Sequence, residues 1–268
     1  PTQQAGMRGI CYVELSVRTA SQDAHSGLGG SIFPNAAWRL VWALKTLKDE
    51  KEHILIPGFY DSVIPADEQD LALLEKVPDN APDLKKAFGL DHFLRGIEGG
   101  VEFQRRAIFE PTCTICGLTA GYQGPGSKTV LPAQASAKVD FRLVPDQRPE
   151  EVLQQLRDHL DSHGFDDIEI QFLGGNPAGR TPPDDPFLQM VVRSAEEVYG
   201  VPQRIIPMSG GSGPNYHFLE TLQVPVAMAG IGYPGSNIHA PDEHIRLDDF
   251  YRGIQHTIRI IRDFANLT

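Results

Sequence analysis

Two histidine-bearing segments hold the groups best suited to chemistry. Ser236-Asn237-Ile238-His239-Ala240-Pro241-Asp242-Glu243-His244 follows an apolar run, and Asp23-Ala24-His25-Ser26-Gly27 follows a strand-like stretch. Functional groups gather just beyond the buried strands of open α/β sheets, so His239 is placed to bind a metal. A catalytic zinc usually takes about three protein ligands. His244 lies five residues from His239, not the four of a helical H-E-x-x-H zinc pair. Pattern alone leaves His239 balanced between ligand and structural histidine. His25, among Ser26, Gly27, Gly29 and Gly30, reads by pattern alone as a surface histidine.

Arg142 has a different claim. In the stretch 136–143, Ala137, Val139, Phe141 and Leu143 alternate with Lys138, Asp140 and Arg142. Alternation of period two marks a half-buried strand, so Arg142 projects from a rigid element. Its guanidinium is suited to bidentate carboxylate binding; a solvent-facing surface arginine fits the pattern equally. Ser209-Gly210-Gly211-Ser212-Gly213-Pro214 lacks the second glycine of a nucleophile elbow, because Pro214 replaces it. A loop that offers backbone N–H groups and a hydroxyl to an anion fits Ser212 better. Gly121-x-x-x-x-Gly126-Ser127-Lys128-Thr129 misses a P-loop by one inserted residue and leads into a strand, not a helix. Cys113-x-x-Cys116 has no second pair, which favours a structural role over a zinc or redox pair.

The elements that must position these residues follow from periodicity. Gly9–Val17 alternates as a strand, and a helix begins near Pro34. Residues 50–100, broken by Pro57, Pro65, Pro78 and Pro82, read as an insertion with short helices near 67–76 and 82–88. A strand pair is expected at 101–109 and 136–143, a helix from Pro149 to Gly164, and a strand at 168–172. This β-α-β-β-α-β order is that of a ferredoxin-like sandwich. The glycine- and proline-rich stretch 174–183 marks a boundary. Beyond it come a helix from Pro186, a short strand at 204–207, a buried strand at 225–231 and a helix from Asp248 with Phe250, Ile254, Ile258, Ile261 and Phe264 as its apolar stripe. These look like the closing portion of a larger α/β sheet.

The 268 residues are 41% hydrophobic and 22% charged, so a real core can form. The net charge of −11 disfavours nucleic acid as a partner. No apolar run reaches the roughly 18 residues of a membrane span, and the N-terminus has no signal-peptide pattern. Three cysteines give no disulfide framework, so a cytoplasmic protein is the default expectation.

Taken together, these segments resemble the M20 metallopeptidase family, nearest its carnosinase and cytosolic non-specific dipeptidase branch. The matching text, in family order, is Arg8-Gly9-Ile10-Cys11-Tyr12, Asp23-Ala24-His25-Ser26-Gly27, Gly121-Tyr122-Gln123-Gly124 with Lys128-Thr129-Val130-Leu131-Pro132, Arg142-Leu143-Val144-Pro145, Gly210-Gly211-Ser212 and His239-Ala240. The resemblance implies a lid, or dimerisation, domain over residues 1–180, with its insertion at about 50–100. It makes residues 181–268 the C-terminal segment of an α/β zinc-peptidase catalytic domain. It implies two divalent metal ions, zinc or else manganese or cobalt, with His239 as a ligand. His25 would stabilise the oxyanion in the partner subunit of a homodimer. Thr129, Arg142 and Ser212 would bind a peptide or N-acyl amino acid, with Arg142 on its terminal carboxylate.

The family's H-x-D motif, bridging aspartate, glutamate pair and general base precede the lid, and no such motifs occur in this sequence. The chain by itself is therefore expected to lack the metal pair and to be inactive. The alternatives are a non-catalytic dimerisation or binding module, and an N-acyl amino acid deacylase of the same family.

Overall fold

The computed structural model describes residues 2–233 and 235–267. Strand β1 (Thr2–Gln4) leads into the long β2 (Gly6–Arg18), then β3 (Ala24–His25) and the single turn α1 (Ser26–Gly29). Helix α2 spans Ala36–Leu47. It starts two residues after Pro34 because the Asn35 side chain caps it, accepting from the N–H groups of Ala37 and Trp38. Inside the insertion lie α3 (Glu68–Leu74) and α4 (Ala81–Phe88), and α5 (Gly100–Phe109) follows it. Then come β4 (Thr112–Ala120), β5 (Val130–Leu131), β6 (Gln134–Leu143), α6 (Pro149–Ser162), β7 (Glu169–Asn176) and β8 (Gly179–Arg180). The chain closes with α7 (Pro186–Tyr199), β9 (Arg204–Ile206), β10 (Ser209–Ser212) and α8 (Leu247–Phe264).

The lid has the expected β-α-β-β-α-β order, with β7, β2, β6 and β4 side by side and antiparallel. Cys11, Val13, Leu15 and Val17 of β2 and Ala137, Val139, Phe141 and Leu143 of β6 point to one face. There they meet Leu40, Ala43 and Leu47 of α2 and Val152, Leu156 and Leu160 of α6, all buried in one cluster. Burying such side chains contributes about 1.5–3 kcal/mol each, which is what holds the two helices to the sheet. Strand β4 is the outer edge, and Ile115 and Leu118 on it are about half exposed. On the outer side of α2, Trp38 and Trp42 stack at 5.9 Å, both more than half exposed.

Three expectations change. Residues 101–109 form α5, not a strand. Gln104, Ile108 and Phe109 are buried at helical spacing, and Glu102 pairs with Arg105 and Arg106 three and four residues on. The second strand of the pair is β4, just beyond. Residues 225–231 are not a strand; Met228 alone makes an isolated bridge to Gln4, and none of the stretch is buried. The apolar stripe of α8 is open as well: Ile254, Ile258 and Ile261 are 43–68% exposed. What α8 buries is His256, against Val191 and Ser194 of α7. Among the described residues no helix is long and apolar enough to cross a membrane.

Strand β2 belongs to both parts of the chain. Its middle pairs with β7 and β6, while Gly6 and Met7 pair with β8, and Met7 and Arg8 run parallel to β10. The insertion is fastened to this crossing. Buried Asp70 of α3 accepts from Arg180 of β8 at 2.6 Å. Leu74, Ile108, Phe109, Ala178 and Met208 form a small core beside it.

Candidate functional site

One row of side chains crosses the sheet on the face away from α2 and α6. Asn176, Ile10, Arg142 and Thr112 are cross-strand partners on β7, β2, β6 and β4, and directly opposed residues share a face. Arg142 is half-buried. Its Nη1 donates to Ser212 Oγ at 2.8 Å, and that hydroxyl donates to the Gly9 carbonyl at 2.9 Å. The structure thus joins two residues 70 positions apart, because β10 runs alongside the start of β2. Ser212 gives its proton to a backbone carbonyl and not to a base, which leaves it without the activation a nucleophile needs. Across the row, His217 lies 3.2 Å from Asn176 Oδ1.

Arg8 is the member of this corner that sequence reasoning quoted but gave no role. It is 5% exposed. Its Nη1 donates to the Ala107 carbonyl at 2.7 Å, and Nη2 to Thr112 Oγ1 at 3.5 Å. Burial, with Arg142 next in importance, pushes the Arg8 guanidinium down to about 10. The usable signal was parity. Arg8 is two residues before Ile10, the partner of Arg142, so alternation puts all three on one face.

His25 and Thr129 form a second cluster on the ribbon of β3 and β5. His25 Nδ1 accepts from the Gly27 N–H at 3.0 Å, so in the neutral ring the proton sits on Nε2. That nitrogen faces Thr129 Oγ1 at 3.3 Å. Both residues are exposed. The ribbon lies past the end of the β2–β6 ladder that pairs Arg18 with Gln134, whereas Arg142 is at the other end, opposite Ile10. Eight residues of strand separate Ile10 from Arg18, about 26 Å at roughly 3.3 Å per residue.

His239 belongs to neither cluster. It is exposed, in a turn where Asn237, His239 and Asp242 all adopt left-handed φ of 54–61°. His244 has both ring nitrogens engaged, with the Asp242 carbonyl and the Tyr233 hydroxyl. Among the described residues no group of three or more His, Cys, Asp or Glu side chains is placed to hold a metal ion. His239 and its neighbours therefore do not fit a two-metal site on their own. Cys113 is buried and Cys116 exposed, and all three cysteines are free thiols. Among the described residues, the near-P-loop stretch opens no helix.

The fold is a dimerisation-type α+β lid joined to part of a second α/β unit. Residues 5–167 match the family model of the M20 peptidase dimerisation domain. The chain belongs to the M20 metallopeptidase family. It is 25% identical to a Cys-Gly metallodipeptidase of Schizosaccharomyces pombe, over 100% of this chain and 57% of that protein. It is 27% identical to the Beta-Ala-His dipeptidase of Rattus norvegicus, over 94% of this chain and 52% of the relative. Among solved structures, an M20 family metallo-carboxypeptidase from Sulfolobus solfataricus superposes with a TM-score of 0.92 at 35% identity, covering 98% of this chain and 60% of that one. The chain spans about half the length of the curated relatives it matches.

Proposed function

We propose that this chain supplies the dimerisation domain and the C-terminal part of the catalytic domain of a metal-dependent dipeptidase. The carrying observation is Arg142. Its guanidinium is fixed on a strand by Ser212, and among the described residues it takes part in no ion pair. A charged fork held this way suits the terminal carboxylate of a short peptide. Two of the relatives are named for dipeptides, Cys-Gly and Beta-Ala-His.

The enzyme acts as a homodimer. A dipeptide extends roughly 7 Å, so His25 and Arg142 of one chain cannot reach the same one across the β2–β6 ladder. A second copy supplies the other cluster. Its His25 Nε2–H donates to the oxygen of the scissile amide as negative charge develops there. The open edge of β4 and the Trp38–Trp42 face of α2 are suited to the two-fold contact. His239 is one ligand of a divalent metal, with its other ligands outside the described residues. The open stripe of α8 gives such further chain a place to pack.

The test compares Ala-Gly with its C-terminal amide in the complete enzyme. Arg142→Gln removes a charge-assisted contact of about 1.5–3 kcal/mol, so KM for Ala-Gly rises roughly 10- to 150-fold. The amide, which lacks the carboxylate, is unaffected. An unchanged KM for Ala-Gly would contradict the assignment.

A further inference from the structure

Arg142 is not the only guanidinium at its corner. We propose that Arg8 is a positioning residue for the carboxylate subsite: a second, buried cation that joins Arg142 in making the site selective for a negatively charged substrate end. The inference rests on the carboxylate role given to Arg142 under the proposed function.

The register brings the two arginines together. Arg8 shares a face with Ile10, and Ile10 is the cross-strand partner of Arg142. Thr112 Oγ1 links them directly, since it accepts from the Arg142 backbone N–H at 3.4 Å and from Arg8 Nη2 at 3.5 Å. Ser212 is the parallel-strand partner of Arg8 and the side-chain partner of Arg142. Arg8, Arg142, Thr112 and Ser212 are therefore one connected unit.

The charge of that unit is not balanced. Buried charges are ordinarily paired or fully hydrogen-bonded. Arg8 Nε is buried with no partner, and among the described residues neither arginine takes part in a salt bridge. Asp140 acts on Arg8 while accepting from the Cys116 thiol at 3.3 Å, so one carboxylate stands against two guanidinium groups. The acceptors Arg8 does have are neutral. One is the Ala107 carbonyl in the last turn of α5, where the helix dipole offers partial negative charge. A bound carboxylate supplies what is missing. It relieves the repulsion between two neighbouring guanidinium groups and is held by the field of both.

A purely structural arginine would clamp α5 to the sheet and do no more. The two roles separate with Arg8→Gln and Arg8→Lys in the complete protein, probed with Ala-Gly and Ala-Gly amide. Gln keeps a donor for the Ala107 carbonyl but carries no charge, and Lys keeps the charge without the fork. With Arg8→Gln, Ala-Gly binding weakens about tenfold while the amide holds its affinity, because one of the two positive charges at this corner is lost. Arg8→Lys retains the preference for the acid within about threefold. Equal weakening of acid and amide in both variants, or no change in either, overturns the inference. Arg142→Gln in parallel tells the two readings apart. If it abolishes the acid preference and Arg8→Gln does not, only the role of Arg8 fails. If it leaves the preference intact, the carboxylate assignment falls and takes this inference with it.

Discussion

His25 and Arg142 lie toward opposite ends of one antiparallel ladder, with Arg142 one pair in from the Gly9–Leu143 end and His25 on the ribbon past the Arg18–Gln134 end. The separation comes from the strands themselves, which the buried residues of β2 and β6 hold straight against α2 and α6. No side-chain rotation can close it. Complementation reads this out. Assayed with Ala-Gly well below KM, the homodimers of His25→Ala and of Arg142→Gln each turn over slowly. Co-expressed, half of their dimers are mixed, and each mixed dimer has one intact site. About one quarter of the wild-type activity returns. Recovery of none would place both groups in a single chain's site.

The proposed two-fold contact can be tested without touching the site. Ile115→Lys with Trp42→Glu puts charge on the edge strand and on the outer face of α2, both exposed. The expected product is a folded monomer in sedimentation at micromolar concentration. A dimer that persists would place the interface elsewhere.

The core of the lid should be sensitive to truncation. Phe141 is fully buried, and its ring lies 5.8 Å from that of Phe59. Phe141→Ala costs about 3–5 kcal/mol. Urea titration would show this as a lower midpoint with an unchanged slope. A loss under about 1 kcal/mol would mean that the cavity collapses.

Stability should also fall on mild acidification. His159 is buried, with Nε2 donating to Thr46, and burial, then His163, lowers its pKa from 6.5. His256 is lowered by burial as well. In the unfolded chain both take up protons as the pH drops through 6.5, while the folded forms resist. The unfolded state then binds more protons, so stability declines from about pH 7 downward. His159→Gln should flatten part of the dependence of Tm on pH between 8 and 5. An unchanged slope would remove His159 from the account.

The parts of the fold legible in the sequence are those whose periodicity is set by one buried face. Cys11, Val13, Leu15 and Val17 announce β2, and Pro149, Val152, Leu156 and Leu160 announce α6. Val101–Phe109 was illegible as a helix because Val101, Phe103, Ile108 and Phe109 mix both periods; Glu102 with Arg105 and Arg106 carried the helical signal. Residues 225–231 are apolar enough for a buried strand, but a strand needs neighbours, and one bridge to Gln4 is all that is described. At the site, the outward direction of Arg142 followed from alternation. Its meeting with Ser212 did not, since contact over 70 positions depends on β10 lying beside β2. Resemblance to a family named both residues as substrate binders without pairing them, and it gave Arg8 no role.

Gly6 and Gly9 mark where β2 passes from one part of the molecule to the other. A Cβ on Gly9 would come within 2.6 Å of the Ala178 nitrogen, and one on Gly6 would strike Gly179 and Arg180. Backbone there lies against backbone with no side chain between. The two strands are thereby sewn together at a spacing that only a hydrogen in place of a side chain permits. The carboxylate corner is built on that seam, between Arg8 and the Gly9 carbonyl. Its register is therefore set by main-chain contact that leaves no room for a Cβ at Gly6 or Gly9.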